Sequence, residues 1–383
     1  MTQATTDAAS PHSFLGLAPF LRLSIAGGDL REVAQALLAE TGREPDHAAL
    51  WLNLSTAFFT LREHRLALAM QQQALRLSRM YRLPARRQPA RLTLLMLLAA
   101  GDLAENTPLD CLLEDGDIDL VYHYSSPDAP LPAPLPAHDA IFVAVGDSLA
   151  NRPLLAALDA ALAGHAAPVL NAPAHIPNTD RANASELLRD APGLTMPPTR
   201  SGARAQLEAV AAGRLAVDAA FAGCDFPLIV RPVGSQAGRD LARIASSAEL
   251  AGYLALVEAE AFFVSRFVDY SSVDGLFRKY RIALVGGVPY ACHMAVSSHW
   301  MVHYVNAGMY EDAGKRAEEA AFMEAFPAFA ERHRAALEAL HRRIGLDYLC
   351  LDCAETRDGA LLVFETDHVM VVHAMDPEAL PPA

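Results

Sequence analysis

The spacing of apolar residues divides the chain into an N-terminal part of helical period and a longer part in which strands alternate with helices. Within 32–40, 48–61 and 66–77, apolar residues recur every three or four positions, which is the spacing of an amphipathic helix. We therefore expect residues 1–115 to form an all-helical domain.

The apolar pattern changes near residue 118, where short apolar runs without helical spacing begin and predict buried strands. The predicted strands are 119–124, 140–145, 168–171, 227–233, 261–268, 279–286, 288–296, 347–355 and 360–367, and the predicted helices are 152–162, 181–188, 205–212, 247–259 and 317–344. Strands that alternate with helices imply a parallel sheet, whereas glycine turns between adjacent strands imply antiparallel hairpins. The predicted fold class is mixed α/β and α+β, with a boundary near residue 195.

Residues 51–79 resemble one tetratricopeptide helix pair. The positions that match the repeat pattern are Trp51, Leu54, Ser55, Phe58, Ala67 and Ala74, and Gln71 departs from it. An ordinary helical hairpin is the alternative, because the flanking segments match poorly and an independent solenoid needs about three repeats. The resemblance implies a domain that binds peptides or proteins.

Composition and charge exclude several classes of protein. Hydrophobic residues make up 52% and charged residues 20%, so the chain can bury large cores and is not globally disordered. No apolar run approaches the ~20 residues of a membrane span, and the N-terminus lacks a signal-peptide pattern. The net charge of −14 leaves no general attraction for nucleic acid, so any phosphate site must be local.

The five cysteines favour a reducing compartment, and we expect a cytoplasmic protein that acts without nucleic acid or membrane partners. Cys350 and Cys353 match the C-x-x-C spacing of redox and zinc sites. They lie in a predicted strand, however, where residues three apart point to opposite faces. Buried thiols are therefore the favoured interpretation of this pair.

Two segments carry cations next to apolar strands. In FPLIVRPVGSQAGRDL (226–241), a strand leads from Arg231 into a loop with Gly234, Ser235 and Gly238, where backbone N–H groups and a guanidinium can hold phosphate. In the strand 279–286 and the residue before it, alternation places Lys279 and Arg281 on one face and Arg278 and Tyr280 on the other. The alternatives are an ordinary strand–turn–helix for the first segment and a solvated strand end for the second.

A third segment carries carboxylates on a predicted hairpin. Glu365 and Asp367 share one face of their strand, and Asp352 lies on the partner strand. Carboxylates are costly to bury unless they are paired or bound to a metal, and three on one face suit Mg²⁺. The alternative is a set of solvated carboxylates at a strand end.

Taken together, residues 118–375 resemble the ATP-grasp superfamily of ATP-dependent carboxylate–amine ligases, in the branch of the ribosomal-protein glutamate ligase. The segments that carry the resemblance occur in the family's order. They are Asn171-Ala-Pro173, LTMPPT, FPLIVRPVGSQAGR, AFFVSRFVD, KYRIALVGG and LDYLCLDCAETRDGALLVFETD. The resemblance implies an ATP-grasp fold, with a preliminary α/β region at 116–195 and two α+β subdomains within 196–383.

The resemblance also implies roles for individual residues. Arg231 stands at the position of a lysine that contacts ATP phosphates, and Arg281, with Lys279 beside it, stands at the strand arginine that faces phosphate or acyl phosphate. The remaining implied positions are the phosphate loop (Gly234, Ser235, Gly238), the adenine hinge (Phe263, Arg266, Phe267) and the Mg²⁺ ligands (Asp352, Glu365, and Asp367 in place of asparagine).

The implied activity is ligation of a carboxylate to an amine through an acyl phosphate, with ATP and Mg²⁺ as cofactors. A peptide or protein carboxylate is favoured because of the helical domain, and a natural-product carboxylate is also compatible. The segment 297–308, with His299, Trp300, His303 and Asn306, is a candidate acceptor-recognition loop, and His368 and His373 are further candidates to line the substrate site. The alternative from another class is a non-catalytic ATP-binding adaptor.

Overall fold

The computed structural model describes residues 12–235, 238–373 and 375, which form a mixed α/β protein with three sheets. Contacts divide these residues into two compact units. The first runs to Ile176 and includes the segment that begins at His368, and the second runs from Pro177 to Asp367. The three-part division predicted at residues 115 and 195 stays a prediction. None of the described helices is long and apolar enough to cross a membrane.

Four helices open the first unit. They are α1 (Ala18–Ile25), α2 (Leu30–Arg43), α3 (Ala48–Thr60) and α4 (His64–Leu77). Asp29 begins α2 by accepting hydrogen bonds from the backbone N–H groups of Arg31 and Glu32, as a helix N-cap does. The apolar faces of the first three helices meet in a core that includes Phe20, Leu37 and Leu54. The three helices predicted from periodicity are confirmed, whereas α1 was not predicted.

The prediction that residues 1–115 are all-helical is wrong beyond Leu77. The rest of the first unit contains β1 (Met80–Leu83), β2 (Leu92–Leu98), α5 (Leu109–Leu113), β3 (Ile118–Tyr124), β4 (Ala140–Val143), α6 (Arg152–Leu162) and β5 (Val169–Leu170). The strand order is β1-β3-β2-β4-β5, and β2 pairs in parallel with β3 and β4. A central parallel strand is buried on both faces, so LTLLMLL has no alternation that distinguishes it from a buried helix.

Gln71 joins the helices to this sheet. Its amide nitrogen donates to the carbonyl oxygen of Gly101 at 3.0 Å, and its amide oxygen accepts from the N–H of the same residue at 2.8 Å. Gln71 is the position that departs from the tetratricopeptide pattern, and this pair of bonds accounts for a polar residue on the buried face of α4. The tetratricopeptide resemblance itself stays a prediction.

In its described residues, the second unit contains two sheets and six α-helices. The helices are α7 (Arg181–Leu187), α8 (Arg204–Ala211), α9 (Val217–Ala220), α10 (Ser247–Leu256), α11 (Ala313–Arg332) and α12 (Arg334–Ile344). The strands are β6 (Leu194–Thr195), β7 (Thr199–Ala203), β8 (Leu228–Pro232), β9 (Ala242–Ile244), β10 (Ala261–Arg266), β11 (Phe277–Val285), β12 (Val288–Ser297), β13 (Tyr348–Glu355) and β14 (Leu361–Asp367). One sheet has the order β7-β10-β8-β9 and the other β12-β11-β13-β14-β6.

The second of these sheets is built from two hairpins. Gly286 and Gly287, with φ of 56° and 82°, join β11 to β12, which is the left-handed backbone that a tight hairpin turn requires. In the other hairpin, β13 pairs antiparallel with β14, and β13 also pairs with β11. Cys350 and Cys353 on β13 are both fully buried, as the strand pattern predicted.

Candidate functional site

The most concentrated buried charge of the second unit lies where β11 faces β13. Arg281 pairs directly with Asp352 in the strand register. The Asp352 carboxylate accepts from Lys279 Nζ at 2.8 Å and from Arg281 Nε and Nη2 at 2.8 and 3.1 Å. Asp352 is only 2% exposed and Lys279 9%, so this cluster is shielded from water. Both oxygens of the carboxylate are therefore held by cations.

The other face of β11 has a different role, as alternation along the strand predicted. Arg278 pairs with Asp274 and Glu318 near the surface. Tyr280 packs against Phe322 and Phe329 of α11, with ring centroids 4.7 and 5.1 Å away. One face of the strand thus anchors a helix, while the other presents cations to the interior.

The ion pairs of the Asp352 cluster shift the pKa values of Asp352 and Arg281 in opposite directions. Burial alone would raise the pKa of Asp352, but the charges of Lys279 and Arg281 outweigh it and hold that pKa well below its usual range. Burial would lower the pKa of Arg281, but the carboxylate raises it. Asp352 and Arg281 are therefore both charged at neutral pH, and the single carboxylate is shared between the basic side chains of Lys279 and Arg281.

The other predicted magnesium ligands are also near a cation. Glu365 pairs with Asp352 in the β13–β14 register, and its carboxylate accepts a hydrogen bond from Arg181 at the start of α7. Burial lowers the pKa of Arg181, whereas the charges of Asp367 and Asp352 raise it. The structure thus places all three carboxylates within reach of arginine or lysine side chains.

The chemistry of these oxygen donors suits Mg²⁺, but their arrangement does not fit a resident ion. Among the described residues, the ligand atoms of Asp352, Glu365 and Asp367 do not come close enough together to share one metal. Asp352 and Glu365 are compensated by cations instead. The assignment of these three carboxylates as magnesium ligands therefore stays a prediction.

Arg231 on β8 is a buried cation of a different kind. It is 8% exposed, and its guanidinium donates to the hydroxyl of Ser235 at 3.1 Å and to the carbonyl oxygen of the same residue. In the part of the chain that the structure describes, no carboxylate pairs with it. Burial, and next the charge of Arg181, lower the pKa of Arg231 to about 9. An anion placed beside Arg231 would relieve both effects.

The loop after Arg231 is shaped by glycine. Gly234 and Gly238 have φ of 79° and 69°, a backbone conformation that other residues seldom adopt. A Cβ atom on Gly238 would lie 2.4 Å from Nε2 of His303, whereas one on Gly234 would meet open space. The loop therefore approaches His303 closely at one glycine and stays open at the other.

His303 lies among the charges of both sheets. Burial lowers its pKa, and Lys279, Arg231 and Arg281 lower it further, whereas Asp352 raises it. The cations of β8 and β11 thus act on the pKa of the same imidazole. His303 belongs to the segment that we predicted to recognise the acceptor.

The three residues of the predicted adenine hinge lie in different surroundings. Phe263 lies inside β10, which pairs with β7 on one side and with β8 on the other. Arg266 ends the strand and is exposed, and the N–H of Phe267 donates to the carbonyl oxygen of Pro227 at 2.8 Å. The ring of Phe267 lies beside Trp300 and under the guanidinium of Arg243, with centroid distances of 5.8 and 4.4 Å. Phe263 therefore lies inside the four-stranded sheet and Phe267 at its edge, and the adenine assignment stays a prediction.

Two residues near the site were missed or underrated by sequence reasoning. Arg181 gave no signal, because an arginine after the helix cap Asp180 is an ordinary feature of a solvated helix start. Trp300 was a loop candidate only, and its ring against Phe267 brings that loop to the hinge. Of the remaining candidates, Asn306 is exposed, and Nε2 of His368 contacts the carbonyl oxygen of Val145 in the first unit at 3.1 Å. His373 accepts from the N–H of Met375, also in the first unit.

Comparison with solved structures gives similarities to ligases. The chain is similar to a RimK domain ATP-grasp protein from Sphaerobacter thermophilus, with 16% identity over 73% of this chain and 92% of that chain and a TM-score of 0.40. It is also similar to D-alanine–D-alanine ligase from Bacillus anthracis in complex with ATP, with 12% identity over 73% and 86% of the two chains and a TM-score of 0.42.

A third similarity is to the VanG D-Ala:D-Ser ligase from Enterococcus faecalis, with 13% identity over 72% and 90% of the two chains and a TM-score of 0.44. No protein-family model matches the chain, and neither does any curated protein. The residues and geometry of the site, rather than these similarities, are the basis of the function proposed below.

Proposed function

We propose that this chain is an ATP-dependent ligase of ATP-grasp type that joins a carboxylate to an amine. The observation that carries the proposal is Arg231, a buried guanidinium whose hydrogen-bond acceptors are neutral and whose pKa is lowered by burial and by the charge of another cation, Arg181. Such a group is costly in the absence of an anion. A polyphosphate beside Arg231 and Arg181 would supply the missing negative charge.

The surroundings of Arg231 suit a nucleotide rather than an isolated anion. The loop with Gly234 and Gly238 lets backbone N–H groups approach phosphate. Lys279 and Arg281 would add cations from the sheet that contains β11, and the influence of both, and of Arg231, on the pKa of His303 supports a shared site. The segment after Phe267 offers an aromatic surface for a base.

In the proposed reaction, an oxygen of the substrate carboxylate attacks the γ-phosphorus of ATP, the bond to the β-phosphate oxygen breaks, and ADP leaves. The nitrogen of the unprotonated amine then attacks the acyl carbon, inorganic phosphate leaves with the C–O electron pair, and the proton lost by the nitrogen is taken up by the phosphate. The chain provides position and positive charge for both steps, through Arg231, Lys279 and Arg281. No side-chain nucleophile is needed.

The carboxylate is proposed to belong to a peptide or a protein. Helices α1–α4 pack in the same unit as the first sheet, and a helical pair of this kind resembles domains that bind peptides. His299, Trp300 and His303 are proposed to contact the acceptor, because they belong to the loop that reaches both Gly238 and Phe267.

The test is calorimetric titration of ATP, with and without Mg²⁺, into the full chain and two arginine variants. Arg231→Met should weaken ATP binding about tenfold or more, because one charge-assisted hydrogen bond contributes about 1.5–3 kcal/mol. Its free energy of unfolding should not fall, because a buried cation without an anion is removed. Arg189→Met is the matched control, since Arg189 is exposed and pairs with Glu186 on the surface of the same unit.

Absence of ATP binding by the folded wild type, or equal affinities of all three proteins, would contradict the proposal. If ATP binds as expected, phosphate release is then measured with pairs of carboxylates and amines, including peptides. Tight ATP binding without phosphate release from any pair would favour the adaptor function over the ligase.

A further inference from the structure

Three side chains of types that can bind a metal lie close together in the first unit, and none of them belongs to the candidate site described above. Glu44 and His47 belong to the turn between α2 and α3, and His12 precedes α1. One ligand atom from each of the three lies within 4.8 Å of the other two. Among the described residues, this is the only group of three or more histidine, cysteine or acidic side chains gathered so closely.

The separations are close to those of a metal site. Nδ1 of His12 lies 3.4 Å from the Glu44 carboxylate. Ligand atoms about 2.0–2.1 Å from a tetrahedral zinc ion are separated by about 3.3 Å, so these two atoms already have that spacing. The rings of His12 and His47 meet edge to face, with centroids 5.4 Å apart. A ring nitrogen of His47 lies within 4.8 Å of both of these ligand atoms.

The backbone that carries two of the ligands is fixed by hydrogen bonds. The N–H of His47 donates to the carbonyl oxygen of Glu44 at 3.1 Å, which closes the turn. The indole N–H of Trp51 donates to the carbonyl oxygen of Pro45, inside the turn, at 2.8 Å. Two of the three ligands are therefore held on a fixed turn, which lowers the entropy lost when the ligand set is ordered.

His47 also has an unsatisfied polar atom. Its Nδ1 is buried, and no hydrogen-bond partner is found for it among the described residues. A buried polar atom without a partner is destabilising, because it has lost its hydrogen bonds to water. The histidine begins α3, yet its side chain makes no capping bond. The ring therefore has no structural task at the helix start that would account for its position.

We propose that His12, Glu44 and His47 bind one divalent transition-metal ion, with water completing the coordination. Two imidazole nitrogens and one carboxylate oxygen suit Zn²⁺ best among common ions, because hard cations such as Mg²⁺ prefer oxygen ligands alone. Bound metal would link the segment at His12 to the turn between α2 and α3. The proposal is independent of the ligase function, since all three ligands lie in the first unit.

The test uses the full chain after treatment with a chelator. Zn²⁺ is titrated calorimetrically, and Co²⁺ is titrated while its visible absorption is recorded, because intense bands report four-coordinate geometry. We expect one ion per chain. Glu44→Gln and His47→Asn should each weaken Zn²⁺ binding about tenfold or more. Asparagine is a preferred N-cap residue, so His47→Asn should start α3 at least as well as histidine does.

His165→Gln is the control, because His165 lies beside His138 in the same unit, with ring centroids 5.5 Å apart, and no carboxylate completes a group of three there. It should bind Zn²⁺ like the wild type. The proposal is overturned if wild type shows no saturable binding, if His47→Asn and Glu44→Gln bind as tightly as wild type, or if His165→Gln loses as much affinity as they do.

Discussion

Among the described residues, each unit of the molecule buries one aspartate almost completely, and the two are stabilised in different ways. Asp110 in the first unit is 3% exposed, and its Oδ2 accepts from the N–H groups of Leu17 and Ala18 at 2.6 and 3.0 Å, at the start of α1. Asp352 in the second unit is 2% exposed and accepts from Lys279 and Arg281. The first carboxylate has backbone partners and the second has cations.

The two environments move the pKa values in opposite directions. Burial raises the pKa of Asp110, and hydrogen bonds from Ala18 and Leu17 offset only part of that shift. For Asp352, the two cations outweigh burial and lower the pKa. A carboxylate that caps a helix thus completes a structural feature of the chain, whereas the cluster around Asp352 keeps an excess of positive charge. This excess is what makes the second unit a candidate for anion binding.

Among the substitutions that test this comparison, Asp352→Asn should change the free energy of unfolding most. The change leaves Lys279 and Arg281 buried without their anion, and the loss of one partner from a buried ion cluster costs about 3–5 kcal/mol. The free energy of unfolding, measured in urea at pH 7, should fall by that amount. A variant as stable as wild type would show that water or another group compensates the cations.

The stability loss expected for Asp352→Asn limits what the same substitution can show about the candidate site. Loss of ATP turnover in an Asp352 variant does not by itself identify a metal ligand, because the same change removes the counter-ion of two cations. For this reason Arg231, which has no anionic partner among the described residues, is the better position for a binding test. Similarly, deletion of residues 1–115 would remove β2, the middle strand of the first sheet, and not the helices alone.

A smaller effect is expected for Asp110→Asn. The asparagine side-chain oxygen can accept the two backbone hydrogen bonds, while the cost of burying a charge is removed. At pH 7 we expect the free energy of unfolding to change by less than about 1 kcal/mol, compared with the larger loss for Asp352→Asn. A loss as large as that of Asp352→Asn would show that the charge of Asp110 is needed at the start of α1.

The pH dependence of the two variants should have opposite signs. The folded-state pKa of Asp352 is depressed, so its contribution is present above the unfolded pKa of about 4 and is lost as pH falls below it. Wild type should therefore lose its advantage over Asp352→Asn in acid. The folded-state pKa of Asp110 is raised, so wild type should instead lose stability relative to Asp110→Asn as pH rises above about 4. Urea unfolding between pH 3 and 7 measures both; parallel profiles would contradict the assigned shifts.

The sequence could predict the elements whose apolar residues are periodic and the charges that interrupt apolar strands. Helices α2, α3 and α4 and strands β11, β13 and β14 were predictable, because their apolar residues follow the period of the element. Strand β2 was not, since a strand buried on both faces shows no period. The cations at Arg231, Lys279 and Arg281 stood out as charges in apolar strands.

The partners of those charges were not predictable. Sequence pattern placed Asp352 and Glu365 on one face but did not show that Lys279, Arg281 and Arg181 would pair with them. Three carboxylates near one another suggest a metal only if no cation reaches them first, and Arg181 comes from a helix far away along the chain. The cap at Asp110 is equally hidden, because its partners are backbone N–H groups of a distant segment.

The smallest effect is expected for Arg278→Met, on the face of β11 opposite Lys279 and Arg281. Arg278 has two acidic partners, as Asp352 has two cationic ones, but Asp274 and Glu318 are 44% and 39% exposed in their side chains. Exposed ion pairs contribute about 0–1 kcal/mol, because water and salt screen them. Urea unfolding should show a loss within that range, and the loss should shrink further in high salt. A loss of the size expected for Asp352→Asn would mean that partner number, rather than burial, sets the strength of these clusters.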